Sequence, residues 1–318
     1  MKTYLVTGVA GFIGAAVAKA LLDQGHKVVG VDNLTTGYTE NIPAGTDFYE
    51  ADCQDATLYA ERLPKLPYAA IFHIAGQSSG EISFDDPVYD LRTNGESTLH
   101  LLKFALAVGC TRFIYASTMS VYGVKPDAPV KENAEPVPQS FYGVGKLASE
   151  HYLRIYEQYG VRSTALRLFN VYGPGQNMAN LRQGMVSIFM AMMLADNKVH
   201  VKGSPDRYRD FVYIDDVVRA FLLCLDKPES IGKVINIAGS GRKTVGELLE
   251  AMAALHTPRH GRPDIRFSGS TPGDLMGIAA DISLAQKILG YTPAVSFNDG
   301  LARMYAWASE AMAPGKVN

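Results

Sequence analysis

A tyrosine and a lysine four residues apart are well suited to proton transfer. Tyr142 and Lys146 lie in a predicted helix, so both side chains project from one face, about one turn apart. The lysine charge favours the phenolate and is expected to lower the pKa of Tyr142 toward neutrality, so that the phenol can take a proton from a hydroxyl as hydride leaves the same carbon. A predicted strand ending at Thr118 brings a hydroxyl to the same point, which makes a candidate triad.

Glycines near the N-terminus predict a turn that binds a pyrophosphate. Gly8, Gly11 and Gly14 follow a short apolar strand and open a helix. Glycine keeps the turn tight, lets backbone amides approach the anion and lets the helix pack closely on the strand. Asp32 closes the next strand, where a carboxylate can accept hydrogen bonds from ribose hydroxyls and would repel a 2′-phosphate, so NAD is favoured over NADP. Asp52, after the third strand, is placed to meet the adenine amino group.

Short aliphatic strands alternate with helical patterns and must position these residues. Several strands are apolar on both faces, as in a parallel sheet covered by helices on each side, and right-handed crossovers then give a doubly wound sheet. Taken with the glycine turn, this pattern predicts an α/β protein with a Rossmann sheet. The predicted strands are 4–7, 27–31, 47–50, 69–74, 112–117 and 163–168, and the helices are 12–24, 87–108 and 140–158.

The pattern changes after Leu168, where a loop rich in turn formers precedes an apolar helix at about 183–195. A strand at 211–214, a helix at 215–225 and a strand at 233–237 again resemble elements of the first domain. We therefore predict a discontinuous organisation with a smaller mixed α/β substrate-binding lobe. The predicted division is a NAD-binding Rossmann domain at 1–169 plus 211–238 and the lobe at 170–210 plus 239–318.

The composition is that of a soluble globular protein with a small-molecule partner. The 318 residues are 47% hydrophobic and 19% charged, with a formal net charge of -2. With no lysine-arginine run and no apolar run long enough for a bilayer, we expect neither nucleic acid nor membrane as a partner. Cys53, Cys110 and Cys224 lack disulfide or zinc spacing, and no signal peptide precedes the first strand, which together predict a reducing cytoplasm.

Motifs spread along nearly the whole chain carry a close family resemblance. They are Thr7-Gly-Val-Ala-Gly-Phe-Ile-Gly14, His73-Ile-Ala-Gly76, Asn94, Ser117-Thr-Met-Ser-Val-Tyr-Gly123, Tyr142-x-x-x-Lys146, Arg167-Leu-Phe-Asn-Val-Tyr-Gly-Pro174, Arg209-Asp-Phe-Val-Tyr-Ile-Asp-Asp216 and Pro272-Gly-Asp274. The set resembles the extended short-chain dehydrogenase/reductase family, and within it the UDP-galactose 4-epimerase-like enzymes of NDP-sugars. The resemblance implies an NAD-dependent 4-epimerase that oxidises sugar C4 transiently and returns the hydride to the other face.

The resemblance also implies roles for individual residues. Tyr142 matches the family's base, Thr118 its catalytic hydroxyl, and Lys146 the residue that also holds the nicotinamide ribose. Arg209 is expected to bind the substrate diphosphate, and the family commonly dimerises through helices that correspond here to 87–108 and 140–158. The expected cofactor-binding residues are Gly8, Gly11, Phe12, Ile13, Gly14, Asp32, Asn33, Asp52, Cys53, Ile74, Ala75, Gly76, Asn94, Ser117, Tyr142 and Lys146. The expected substrate-binding residues are Thr118, Tyr142, Asn170, Val186, Arg209 and Asp274.

Departures from the epimerase pattern leave the sugar and the nucleobase open. UDP-galactose 4-epimerases usually have a second arginine where this chain has Thr271, and often an aromatic residue where it has Lys202 before Gly203. The residues His256, Arg259, His260, Arg262 and Arg266 could replace the missing arginine, but we expect segment 256–266 to be a solvated loop. Pro258 and Gly261 argue against a helix there, and we predict no metal site.

Particular residues distinguish other functions that the same fold can carry. A 4,6-dehydratase of this family carries Asp-Glu after the catalytic threonine, whereas Met119 and Ser120 follow Thr118 here, which also disfavours a UDP-glucuronate decarboxylase. A 4-keto reductase needs the same triad and stays open. A non-catalytic NAD-sensing protein is disfavoured because it need not keep both Tyr142 and Lys146.

Overall fold

A computed structural model describes residues 1–125, 129–239, 241–269 and 276–313. It confirms the predicted fold class: a parallel Rossmann sheet carries helices on both faces, and smaller sheets form a mixed second region. The strands are β1 Thr3–Thr7, β2 Lys27–Asp32, β3 Thr46–Glu50, β4 Ala70–His73, β5 Arg112–Thr118, β6 Arg162–Leu168, β7 Asn170–Tyr172, β8 Lys198–Lys202, β9 Tyr208–Tyr213, β10 Lys233–Ile237, β11 Arg242–Thr244 and β12 Asp264–Ser268. The helices are α1 Phe12–Asp23, α2 Pro87–Leu91, α3 Ser97–Ala107, α4 Phe141–Tyr156, α5 Met185–Asp196, α6 Ile214–Asp226, α7 Val245–His260, α8 Ser283–Leu289 and α9 Phe297–Ala311.

The large sheet has the order β10-β6-β5-β4-β1-β2-β3 within the described residues, and its strands pair in parallel. The strand order reverses between β1 and β4, which is where ligands bind in open sheets of this kind. Helices α1, α6 and α8 cover one face with an apolar core, and α3 and α4 cover the other. The carboxyl ends of β1 and β4 therefore border a crevice.

The helix predicted at 87–108 is interrupted by a π-helical turn. Residues Arg92–Glu96 form this turn between α2 and α3, and Asn94 is buried at its centre. Such π-turns insert an extra residue into a helix and occur frequently at functional sites. The interruption re-aims the side chains on the helix face that lies next to α4.

The second region has its own sheet and core. Strands β7, β9 and β11 form a three-stranded sheet in the part of the chain described, and β8 pairs with β12. Helices α5, α7 and α9 pack with these strands around a separate apolar cluster. Strand β9 thus lies in the small sheet, although the sequence pattern groups 211–214 with the first domain; β10 does join the large sheet, and α6 packs on α1.

Segment 256–266 is largely exposed to solvent, as expected, but the expectation that it forms a loop is wrong over most of its length. Helix α7 continues to His260 with Pro258 inside its last turn, and β12 begins at Asp264. His256 is buried, and both of its ring nitrogens are hydrogen-bonded, Nδ1 with Tyr305 Oη at 3.1 Å and Nε2 with Asn197 Oδ1 at 3.0 Å. These tertiary contacts outweigh the local preference of proline to end the helix.

Neither a membrane span nor a metal cluster is found in the described chain. None of its helices is long and apolar enough to cross a bilayer. No three His, Cys, Asp or Glu side chains within the described ranges gather as metal ligands.

Candidate active site

A cavity of about 400 Å³ lies where β1, β2 and β4 end. Its walls bring together most of the residues that the sequence predicts to bind the cofactor. These are Gly8, Gly11, Phe12, Ile13, Gly14, Asp32, Asn33, Asp52, Cys53, Ile74, Ala75 and Gly76.

The glycine turn at the base of this cavity has no room for side chains. Gly8 has a φ of +76°, and a Cβ there would lie 2.8 Å from the Ala75 nitrogen. A Cβ on Gly14 would overlap the Gly8 carbonyl oxygen, so α1 packs directly on the turn that follows β1. The surface offered to a ligand is therefore backbone at a helix N-terminus, which suits a pyrophosphate.

Asp32 and Asp52 lie on the cavity wall beyond the turn. Asp32 accepts hydrogen bonds from the backbone N–H groups of Ala10 at 3.0 Å and Leu34 at 2.9 Å, which fix the carboxylate at the end of β2. A carboxylate has about four acceptor positions, so ribose hydroxyls can still bind. Asn33 Nδ2 donates to Asp52 Oδ2 at 2.8 Å.

The opposite end of the cavity approaches Lys146 through Gly76. Gly76 has a φ of +150°, and a Cβ there would lie 3.3 Å from Lys146 Nζ and clash with Asn94 Oδ1. Asn94 Nδ2 donates to the Gln77 carbonyl at 3.0 Å, whereas Asn94 Oδ1 is buried without a hydrogen-bond partner among the described residues. A glycine cradle beside an unsatisfied acceptor suits a hydroxyl-bearing ligand. The residues present thus fit NAD along the whole cavity.

The candidate triad is assembled at the ends of β5 and α4. Thr118 ends β5, and Ser140 caps α4 by accepting a hydrogen bond from Gly143 N at 3.1 Å, so that Tyr142 lies in the first turn. The Thr118 hydroxyl lies near enough to the Tyr142 phenol to lower the pKa of that group, and it donates a hydrogen bond to Ser120 Oγ at 3.2 Å. Lys146 Nζ lies 6.0 Å from the centre of the Tyr142 ring and donates to the Ala116 carbonyl at 3.0 Å. The three predicted residues are therefore in one place.

The charges around Tyr142 differ from the expectation drawn from its spacing to Lys146. Burial raises the pKa of Tyr142 to about 12, the hydrogen bond from Thr118 lowers it, and the Asp90 carboxylate raises it. Burial lowers the pKa of Lys146 to about 8, and Asp90 opposes that change. The expectation that Lys146 brings the phenol pKa toward neutrality is wrong for the protein alone, because loss of hydration outweighs an ammonium held by the Ala116 carbonyl.

Asp90 is a residue of this site that the sequence reasoning missed. Its Oδ1 accepts from Gln77 Nε2 at 2.8 Å and from Asn94 Nδ2 at 3.2 Å, and its Oδ2 is buried without a partner in the described chain. Burial raises the pKa of its carboxyl. The available sequence signal for Asp90 was its position four residues before Asn94, a spacing that puts both side chains on one helix face.

Buried polar groups support the triad from below. Ser117, predicted to bind the cofactor, instead directs its hydroxyl at Glu150 Oε1, 2.5 Å away, and Glu150 pairs with Arg167 at 2.7 Å. His73 bonds Thr7 Oγ1 at 2.8 Å, and burial lowers its pKa to about 3, so the ring is neutral. These contacts tie neighbouring strands together beneath the cavity.

A second cavity of about 370 Å³ adjoins the first, and Ser78 and Gln183 line both. Ser120 lines this second cavity and lies beside the triad, because its backbone N–H donates to Thr118 Oγ1 at 3.1 Å. The remaining polar and apolar lining comes from several separate segments. It includes Ser79, Gln139, Ser140, Met185, Ile188, Phe189, Met192, His200, Lys202 and Arg207.

The predicted substrate residues are distributed unevenly around this second cavity. Asn170 Nδ2 donates to the Asp210 carbonyl at 3.1 Å and lies 3.5 Å from Met119 Sδ, next to the triad. Arg209 is buried on β9 and donates to the Tyr208 carbonyl at 2.7 Å. The Val186 side chain packs in the core of the second region, whereas its neighbours Met185 and Phe189 line the cavity. Asp274, like Thr271, lies outside the described residues.

Arg207 is the second residue that sequence reasoning missed. It lines the cavity two residues before Arg209. Side chains alternate along a strand with a period of two, so the spacing to Arg209 was an available signal.

A dinucleotide cavity beside a buried tyrosine, lysine and threonine defines a class of NAD-dependent enzymes that act on hydroxyl-bearing substrates. Residues 4–238 match the model of the NAD dependent epimerase/dehydratase family, and the chain belongs to that family. This membership confirms the predicted resemblance to extended short-chain dehydrogenases and the prediction of NAD as cofactor.

Relatives of known sequence and structure agree with this assignment. A UDP-glucose 4-epimerase of Mycolicibacterium smegmatis is 35% identical over 95% of this chain and 97% of its own. The structure of a Thermotoga maritima UDP-glucose 4-epimerase with UDP-glucose has a TM-score of 0.92 at 34% identity, covering 98% of this chain and 99% of its own. A Bacillus cereus UDP-glucuronic acid 4-epimerase with UDP-glucuronic acid and NAD has a TM-score of 0.85 at 30% identity, covering 97% and 99%.

Proposed function

We propose that this protein is an NDP-sugar 4-epimerase that works on UDP-sugars by transient oxidation at C4. The observation that carries the proposal is the grouping of three buried side chains, Thr118, Tyr142 and Lys146. Ser120 of the second cavity borders Thr118, and Gly76 of the first cavity borders Lys146. A substrate in the second cavity can bring a hydroxyl to Tyr142 while the first cavity holds the cofactor. The two UDP-glucose 4-epimerases described above support the same reaction class.

In this mechanism the chain's own groups handle the proton. Tyr142 removes the proton of the sugar 4-hydroxyl, Thr118 orients that hydroxyl by hydrogen bonding, and the Lys146 ammonium stabilises the phenolate. Held by the glycine turn and Asp32, NAD would supply reversible hydride transfer at C4, and the positive charge of its oxidised ring would favour ionisation of the Tyr142 phenol, whose pKa is about 12 in the protein alone. The 4-keto sugar turns within the second cavity, and Tyr142 returns the proton after the hydride has come back to the other face.

The residues after Thr118 favour epimerisation over dehydration. Elimination of water across C5 and C6 requires an acid and a base beside those carbons. Met119 and Ser120 supply no carboxylate, and Ser120 Oγ instead lies 3.2 Å from Thr118 Oγ1. Met119 Sδ contacts the Asn170 amide. This arrangement suits a site that binds a sugar hydroxyl and performs no second acid–base step.

The test starts from purified protein without added cofactor. We expect NAD to be released on denaturation and detected by chromatography, and we expect NMR to show inversion at C4 of at least one sugar in a panel of UDP-glucose, UDP-N-acetylglucosamine, UDP-glucuronate and dTDP- and GDP-sugars. A 4-keto reductase would instead need added NADH and a keto substrate. Absence of any C4 inversion across the panel would overturn the epimerase proposal.

The predicted homodimer is part of the proposal. Exposed apolar side chains on α2 and α4 offer a surface for a second copy of the chain, namely Val88, Leu91, Val144 and Ile155. Val144→Glu should convert the dimer to a monomer in sedimentation analysis, because a charge would be buried in an apolar interface. Leu66→Glu, at an exposed apolar residue elsewhere, is the matched control. A monomeric wild-type protein would show that the proposed dimer is wrong and would leave the proposed reaction unaffected.

A cytoplasmic location is proposed from the cysteines. Cys53, Cys110 and Cys224 are all free and buried. Burial raises the pKa of Cys53 and Cys224 to about 12 and that of Cys110 to about 11, so each stays a thiol. A reducing compartment preserves them in that form. Cell fractionation with an antibody to the chain tests the location.

A further inference from the structure

The second cavity has a cationic side. His200, Lys202 and Arg207 line it together with Arg182. Arg182 is engaged at the rim by Asp85 at 2.7 Å and Glu81 at 3.8 Å, so its charge is balanced locally. The other three residues lie on β8 and in the loop that leads into β9, the strand that contains Arg209.

Arg207 and Arg209 lie close together at the start of β9. Arg207 directly precedes the strand and Arg209 is its second residue, and both side chains are buried, with relative exposures of 8% and 6%. Burial and the charge of Arg207 lower the pKa of Arg209 to about 10, so the guanidinium groups lie within electrostatic reach of each other. Two neighbouring buried cations, of which Arg207 lines the second cavity, are a suitable surface for a polyanionic ligand.

The loop before β9 is shaped around the Arg207 guanidinium. Arg207 Nε donates to the Ser204 carbonyl at 3.1 Å, and Nη2 donates to the Lys202 carbonyl. Gly203 has a φ of +92°, and a Cβ there would lie 2.8 Å from Arg207 Cζ. The glycine and the two carbonyls therefore hold the planar head group in one orientation, which reduces the entropy lost when it binds a ligand.

The order of residues along β9 relates Arg207 to the reacting end. Phe211 pairs with Asn170, which touches Met119 beside the triad. Arg209 and then Arg207 follow in the direction away from that end, at about 3.3 Å per residue. A ligand that extends from the triad in this direction therefore meets Arg209 before Arg207.

The arginines of segment 256–266 do not compete for this role in the described structure. The side chains of Arg262 and Arg266 are 80% and 78% exposed and face Glu250 and Asp264 on the surface. Neither lines the second cavity.

We propose that Arg207 is a specificity-determining residue that binds the nucleoside-side phosphate of the substrate diphosphate, while Arg209 binds the sugar-side phosphate. Arg207 thereby supplies the second guanidinium that the uncharged Thr271 cannot supply. This proposal rests on the proposed function and names the recognition of the same substrate.

Calorimetry with UMP and UDP on the NAD-loaded protein tests the proposal. Arg207→Gln should weaken binding of both nucleotides by about tenfold or more, because each carries the nucleoside-side phosphate. Arg209→Gln should weaken UDP binding far more than UMP binding. Arg207→Lys should recover only part of the affinity, since an ammonium cannot form the planar fork. In turnover, Arg207→Gln should raise KM and leave kcat nearly unchanged, which marks a binding role.

Controls separate the possible failures. Arg266→Gln, at an exposed arginine, should leave both affinities unchanged, and retained NAD reports that each variant is folded. Gly203→Ala should imitate Arg207→Gln, because it displaces the same guanidinium by a different route. Wild-type affinity for UMP and UDP in Arg207→Gln would overturn the role of Arg207 while leaving the epimerase proposal intact. A wild-type protein that neither binds UDP nor inverts any NDP-sugar would overturn the proposed function itself.

Discussion

The two cavities differ in the residues and atoms that line them. At its base the first cavity offers only backbone, from the glycine turn after β1, and its other walls include the ends of β2 and β4. The second is lined by residues of separate segments, namely 78–84, 120–123 with 139–140, 181–192 and 200–207. A backbone wall fixes the shape of a ligand and tolerates almost no substitution, whereas a side-chain wall can change its charge and size one residue at a time. Conserving a cofactor and varying a substrate are therefore separate tasks in this molecule.

Tyr142 is not among the residues that line either cavity, so its loss should damage neither of them. Tyr142→Phe is expected to lower kcat by about 10²–10⁴-fold, the usual worth of a general acid–base group. Bound NAD and UDP affinity should stay at wild-type values. Tyr152→Phe, at a partly buried tyrosine on the same helix, is the control and should keep full activity. Full activity in Tyr142→Phe would remove the proposed base.

A single methyl group added in the glycine turn should prevent the first cavity from binding NAD. Gly14→Ala forces a Cβ into the Gly8 carbonyl, and overpacking of this kind costs about 1–3 kcal/mol or more. We expect loss of bound NAD and a lower Tm. At Gly246 the nearest atom to an added Cβ is 3.6 Å away, so Gly246→Ala should keep both. Equal NAD content in the two variants would show that the turn is not the cradle described.

His73 makes the support beneath the cofactor cavity sensitive to acid. Its pKa is about 3 in the folded protein against 6.5 ordinarily, so the unfolded chain takes up the proton first. The stability is complete above pH 6.5 and falls as the pH drops toward 3, by up to about 1.4 kcal/mol per pH unit.

Denaturant unfolding between pH 5 and pH 7 on variants measures this slope. His73→Gln should flatten it, and His151→Gln, at an exposed histidine, should not. An unchanged slope in His73→Gln would assign the acid sensitivity to other groups.

Asp90 should adjust the pH range of the reaction without being required for it. Its carboxylate raises the pKa of both Tyr142 and Lys146. Asp90→Asn should lower both pKa values and move the pH profile of kcat/KM toward acid, the smallest of these effects. Glu96→Gln, at an exposed carboxylate nearby, should leave the profile in place. A shift toward alkali would contradict the electrostatic role of Asp90.

The contrast between the cavities also explains what the sequence could predict. The strands, the glycine turn, Asp32 and the Tyr142–Lys146 spacing are local patterns, and local patterns determined the sheet and most of the first cavity. The second cavity depends on segments far apart in the chain, so the sequence did not show that Ser120 and Arg207 line one cavity, although the spacing of Arg207 to Arg209 was an available signal. The burial that raises the Tyr142 pKa is likewise a property of the folded protein and not of residue spacing.

Helix α7 is a second case in which contacts distant in sequence, and not the local pattern, determine the structure. Pro258 and Gly261 favour a break in the chain, yet buried contacts of His256 with Tyr305 and Asn197 extend the helix to His260. Strand β9 was assigned to the first domain because its apolar pattern fits either sheet. Contacts with residues distant in sequence determine both the end of α7 and the sheet that β9 joins. The predicted domain division stays a prediction.

Transfer of the C4 hydrogen tests the central claim most directly. The NDP-sugar that the panel identifies as substrate would be labelled with deuterium at C4 and incubated in ordinary water without added NAD. We predict that NMR will find deuterium retained at the inverted C4, because the hydride leaves and returns within one site. Loss of the deuterium to solvent during inversion would contradict the account, since it would mean that C4 is deprotonated and never oxidised.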